Sequence, residues 1–93
     1  MTDKPLNDEP LLELKNIGKT VADRLQAIGI NNESDLAKIG SAETFQLLAA
    51  KFSGQRLPVC YYLYSLEGAL QDRFWESFSD EEKQLLRREA GLV

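Results

Sequence analysis

A chain of 93 residues, 43% of them hydrophobic and 28% charged, is long enough for one folded module and too short for two. Its formal charge of −4 excludes a protein that coats nucleic acid or an anionic membrane by bulk attraction, so any phosphate contact must be local. No apolar run is long enough to span a bilayer, and the start MTDKPLNDEP lacks a signal-peptide pattern, so a cytoplasmic protein with no membrane contact is expected.

Residues 1–9 hold three acids, one lysine and Pro5, and read as a flexible polar tail ahead of a single helical domain over 10–93. Pro10 suits the first turn of a short helix carrying Leu11, Leu12 and Leu14, which ends at Asn16, Ile17 and Gly18. A second helix follows with Val21, Ala22, Leu25 and Ile28 on one face, and Gly29 closes it. Asn32 is a good N-cap, with Asp35 three residues on, for a short helix holding Leu36 and Ile39 that Gly40 stops. Ser41 then caps a fourth helix, which presents Phe45, Leu48, Ala49 and Phe52 and ends near Ser53 and Gly54.

Pro58 opens a fifth helix whose stripe of Val59, Tyr62, Leu63, Leu66 and Leu70 is backed by Cys60, Tyr61 and Tyr64, so it is apolar nearly all round and central. The lone Cys60 reads as a small buried hydrophobe in a reducing compartment. Ser65 and Gly68 are small enough to admit another backbone, and Gly68 needs such a reason because it costs about 1 kcal/mol against Ala in a helix. Ser79 and Glu82 form a capping box for the last helix, with Asp80 and Glu81 at its positive end, Arg87 and Arg88 at its negative end, and Leu85 and Leu86 turned inward. Nothing alternates with period two, so no sheet is expected.

The stretch LKNIGKTVADRL (14–25) lines up with LAKIGSAETFQL (36–47), pairing Leu14 with Leu36, Ile17 with Ile39, Gly18 with Gly40 and Leu25 with Leu47. The fold class that results is all-α: five to six short helices, as two tandem helix-hairpin-helix-like units plus two C-terminal helices.

The absence of histidine removes the commonest general base and most zinc sites, and no phosphate-loop, dinucleotide or nucleophile-elbow motif is present. The acids at 80–82 are accounted for by helix capping. No catalytic residue, metal ligand or cofactor is therefore assigned. One turn has a chemical case. Gly18 feeds a helix N-terminus, whose unpaired N–H groups and dipole can hold a phosphate, with Lys15, Asn16, Lys19, Thr20 and Arg24 close by. Residues 15–56 hold six basic and four acidic side chains, whereas the segments on either side are each net −3. The second turn, at Lys38, Gly40 and Ser41, is weaker because Glu43 follows it. Tyr61, Tyr62, Tyr64, Phe74 and Trp75 can stack on bases or pack in a core.

LKNIGKTVADRLQAIGI, then DLAKIG, then YYLYSLEGAL followed by Trp75, resembles the C-terminal domain of the TfoX/Sxy family of bacterial competence regulators, over about residues 11–90. The matched pattern is Leu14, Asn16, Ile17, Gly18, Ala22, Gly29, Ile30, Asp35, Leu36 and the Leu-Glu-Gly-Ala-Leu of 66–70, the most specific part. The resemblance implies a helix-hairpin-helix-like fold, no catalytic residues, and a role near DNA transformation or its transcriptional control. Full-length members place an α/β domain in front, so a stand-alone copy with a separately encoded N-terminal-like domain as partner is a further expectation. Two functions stay open: a module that holds DNA backbone phosphates through the Gly18 turn without sequence preference, and an adaptor that docks a regulator protein around Trp75 with no nucleic-acid contact.

Overall fold

The computed structural model describes residues 10–58 and 60–92. Five α-helices follow one another: α1 (Lys19–Ala27), α2 (Glu33–Ile39), α3 (Ser41–Lys51), α4 (Ser65–Gln71) and α5 (Asp80–Glu89). Two 3-10 turns, Leu11–Glu13 and Trp75–Ser77, and a π-helical turn, Cys60–Tyr64, complete the order. Among the described residues there is no strand, only an isolated antiparallel bridge between Pro10 and Asn32, so the fold is all-α as expected. The proposed tail at 1–9, Val59 of the expected stripe and the Cys60 side chain lie outside the described residues.

The segment before α1 is a single 3-10 turn, where a short helix was expected. Leu14 is already extended (φ −80°, ψ 146°) and Asn16 has φ 72°, which leaves too few residues to repay helix nucleation. The tighter turn stacks i and i+3, so Leu11 and Leu14 are both buried while Leu12 is 61% exposed. α1 buries Val21, Ala22 and Leu25, and closes with Gly29 at φ 88°, where the Gly29 N–H donates to Gln26 (3.0 Å) and the Ile30 N–H to Leu25 (2.9 Å). Asn32 caps α2 as expected, its side chain accepting from the Asp35 N–H at 2.9 Å.

Gly40, and not Ser41, caps α3. One residue at φ 88° ends α2 and begins α3, a joint that a side chain would strain. Ser41 is buried inside the first turn. The long central helix expected from Pro58 begins as the π turn, which passes into α4. α4 ends in a Schellman cap built on a non-glycine: Asp72 sits at φ 57°, the Arg73 N–H donates to Gly68 (2.8 Å) and the Asp72 N–H to Ala69 (3.4 Å). The Ser79–Glu82 capping box opens α5, with bonds of 3.1 and 2.8 Å.

Leu25, Ile30, Leu36, Leu48, Leu63 and Leu66 are fully buried in one core, joined from the C-terminal side by Phe78, Leu86 and Ala90. Tyr62 and Tyr64 belong to that core, which removes them as base-stacking candidates; Tyr61 is exposed. Leu85 is 51% exposed and does not dock inward beside Leu86, because consecutive helical residues point about 100° apart. Ala49 is likewise exposed. The repeat survives in position more than in conformation. Gly18 and Gly40 both cap the helix that follows, yet Gly18 is extended (φ −96°, ψ −176°), and Leu25 is fully buried where its counterpart Leu47 is 40% exposed.

Candidate nucleic-acid interface

The turn ahead of α1 is clamped to the far end of the chain by Asn16. Asparagine tolerates the left-handed backbone found there better than most residues. Its Nδ2 donates to the Arg73 carbonyl (2.8 Å) and the Ser65 carbonyl (3.4 Å), and its Oδ1 accepts from the Trp75 N–H (3.2 Å). Gly68 makes the approach possible: a Cβ there would lie 2.4 Å from Asn16 Nδ2 and 2.5 Å from the Arg73 carbonyl oxygen. The small residue expected to admit another backbone does so. Lys15 closes the same seam with an ion pair to Asp72 (3.0 Å), its ammonium 5.5 Å from the Phe74 ring centre. Asn16 is thus a structural bond between remote segments, and Lys15 is engaged beside it.

One residue on from the buried Ile17, the surface changes character. Gly18 is exposed, lies outside the left-handed region, and has no atom within 4 Å of where a Cβ would stand, so neither backbone conformation nor packing requires glycine there. α1 starts with no side-chain cap, and its first i to i+4 bond runs from the Ala22 N–H to the Gly18 carbonyl (2.9 Å), leaving the Lys19, Thr20 and Val21 amides ahead of it. Of the five α-helices it alone has no acidic side chain in its first turn. Thr20 is exposed. Lys19 has an 82% exposed side chain and pairs with Asp23 at 3.1 Å, in the less favourable order with the cation N-terminal to the acid. Arg24 is turned away from this group: its guanidinium bonds Gln55 and lies 4.8 Å from the Phe52 ring centre.

The second turn presents less. Lys38 is exposed in the last turn of α2, but the Ser41 hydroxyl is buried and donates to Glu67 Oε1 (2.6 Å), while Glu43 occupies the first turn of α3. Trp75 is half-buried, its ring centre 6.2 Å from that of Tyr64, with the Lys83 ammonium over both rings at 5.4 and 5.7 Å. Its neighbour Phe74 is 59% exposed. Sequence reasoning missed Arg73, the centre of the C-terminal side. It meets Glu82 through two bonds (3.0 and 3.3 Å), Ser77 through two more, and packs 4.3 Å from the Phe78 ring centre. The Arg73 guanidinium, aided by the Ser79 N–H, draws the Glu82 carboxyl down to about 2. Among the described residues no three His, Cys, Asp or Glu side chains group as metal ligands.

The described residues form an all-helical module in which α1 starts without a side-chain cap. The chain belongs to the TfoX C-terminal domain family, whose model matches residues 7–90. It is similar to the crystal structure of an uncharacterized protein from Listeria monocytogenes in a triclinic form, at 33% identity and a TM-score of 0.74, over 84% of this chain and 85% of that one. It is also similar to a protein of unknown function from the same organism in a tetragonal form, at 32% identity and a TM-score of 0.76, over 87% and 96%. No curated protein matches the chain. No helix among the described residues is long and apolar enough to cross a membrane.

Proposed function

We propose that residues 10–93 act as one non-enzymatic module that holds nucleic-acid backbone phosphate at the N-terminus of α1, in the competence or transcription-regulation setting of its family. The observation that carries this reading is the state of that terminus. α1 alone lacks both a side-chain cap and first-turn acids, and it begins at an exposed glycine that the fold itself does not need. A phosphate placed there receives the amides of residues 19–21, the helix dipole and the Lys19 ammonium. Exchange of Asp23 for phosphate at Lys19 is easy, because an exposed pair of this kind is worth only about 0.3–0.5 kcal/mol.

Gly18, Lys19 and Thr20 form the contact, with Lys15 at its edge. Asn16 supports it from behind and Arg24 does not touch the phosphate. The turn at Lys38, Gly40 and Ser41 has less support, since Ser41 is buried and Glu43 stands in front of it. Docking of a regulator protein, or of a separately encoded TfoX N-terminal-like domain, around Trp75 also has less support, because that ring packs against Tyr64 and under Lys83.

Fluorescence anisotropy of labelled double- and single-stranded DNA at low and moderate salt tests the reading. With one or two phosphates held, the affinity for duplex falls with a log–log salt slope of about −1 to −2. Lys19→Glu weakens binding about tenfold or more while the protein stays folded, since reversing one charge at a phosphate is worth at least ~1.4 kcal/mol. Gly18→Ser, which supplies the missing cap, stabilises the fold by a few tenths of a kcal/mol or more and competes with phosphate, so binding falls as stability rises. Unchanged DNA binding by both folded variants would remove the proposal.

A further inference from the structure

A groove between α4 and α5 has an apolar floor of Phe78 and Leu86, an exposed apolar wall at Leu85, and carboxylates of Glu67, Glu82 and Glu89 around it. On α5 the residues 82, 85, 86 and 89 stand at i, i+3, i+4 and i+7, so one helix face reads acid, apolar pair, acid. Glu82 is matched by Arg73. The other two carboxylates have no cation among the described residues. Glu67, half-buried, accepts only from neutral donors, the Ser41 hydroxyl and the Gln71 side-chain amide, both at 2.6 Å. Glu89 has no ion pair or hydrogen bond among the described residues, and it stands in the last turn of α5, where the helix dipole disfavours a negative charge. The glutamate of the Leu-Glu-Gly-Ala-Leu element thus holds the buried Ser41 hydroxyl with one oxygen and still lines this groove with a charge that no cation matches among the described residues.

We propose that this groove docks a basic amphipathic segment of a partner protein: a large apolar side chain seats on Phe78, Leu85 and Leu86 while Lys or Arg side chains flanking it complete Glu67 and Glu89. Nucleic acid is repelled by the same charges. A second copy fits poorly, because an antiparallel α5 pair centred on Leu85 sets each Glu81 opposite a Glu89. The surface is separate from the α1 terminus in both residues and sign, so it stands whether or not that terminus binds phosphate.

The probe is a twelve-residue Lys/Leu peptide with helical apolar spacing, titrated by calorimetry into the full chain at physiological salt, with a Glu/Leu peptide of the same spacing as control. The Lys/Leu peptide binds and the control does not. Leu85→Ala weakens binding about tenfold, the scale of a lost buried leucine side chain, and Glu67→Gln with Glu89→Gln weakens it about fivefold, the scale of two partly exposed charge pairs. Glu13→Gln with Glu76→Gln, which makes the same change in net charge away from the groove, leaves affinity unchanged. Leu85 and Glu89 are exposed, so Leu85→Ala and Glu89→Gln alone report even if Glu67→Gln disturbs Ser41. Equal losses in the groove and control pairs, or no loss in Leu85→Ala, overturn the proposal. So does a concentration-dependent dimer of the chain that Leu85→Ala abolishes, because the occupant is then a second copy.

Discussion

Asn16 carries more of the structure than its neighbours, for reasons that are physical and local to one side chain. It accepts a left-handed backbone, and it satisfies three backbone groups drawn from Ser65, Arg73 and Trp75. Asn16→Ala loses those bonds and leaves the backbone strained, so we expect a loss of about 4 kcal/mol, at roughly 1 kcal/mol per bond removed and about 1 for the conformation. Asn16→Gly recovers the conformational part alone, and chemical denaturation of the two variants separates the contributions. On the other side of the contact, Gly68→Ala gains helix propensity but forces a carbon into a carbonyl and an amide, for a net loss of about 2 kcal/mol. The need for a small residue at 68 was legible from its cost in a helix. The role of Asn16 was not: its neighbours in sequence, Lys15 and Lys19, pointed to phosphate, while its partners lie 49 to 59 residues away, where no local pattern reaches.

At the level of elements, what could be read depended on whether the signal was local. Asn32 and the Ser79–Glu82 box were legible because a cap is a bond across three residues. The cap of α3 was misplaced by one residue, since Ser41 has cap chemistry, yet its hydroxyl is drawn inward by Glu67 on α4. The 3-10 turn and the π turn were unreadable because apolar spacing over so few residues does not separate i+3, i+4 and i+5. The Arg73–Glu82 pair ties the loop after α4 to the start of α5 and makes that junction sensitive to acid. Glu82 is held at about 2, below the ordinary glutamate value of ~4.3, so its contribution is fully present above that ordinary value and is lost as pH falls towards 2. Denaturant midpoints measured from pH 6 to pH 2 should therefore fall less steeply in Glu82→Gln, which keeps the capping box and removes the titrating group. A parallel decline in the two proteins would show that the pair does not couple to folding.

For the whole molecule, the acidic total conceals two surfaces of opposite character. The first hairpin region is mildly positive and ends in an open helix terminus, while α4 and α5 enclose an acidic groove. The all-α class, the number of helices and the family were legible from glycines, caps and the 66–70 element, because each of these is set by its own stretch of chain. Which cations are available was not, since Lys15, Lys19 and Arg24 look alike in sequence and differ in what faces them among the described residues: Asp72 and Phe74, Asp23, and Gln55 with Phe52 and Tyr62. The proposed phosphate contact lies at the α1 terminus and not on a diffuse charge. Its most direct test is an amide chemical-shift titration of isotope-labelled protein with a short DNA duplex at low salt. The largest saturating shifts should fall on residues 18–21 and collapse when salt is raised. Shifts spread evenly over the exposed lysines, or none at residues 18–21, would contradict it.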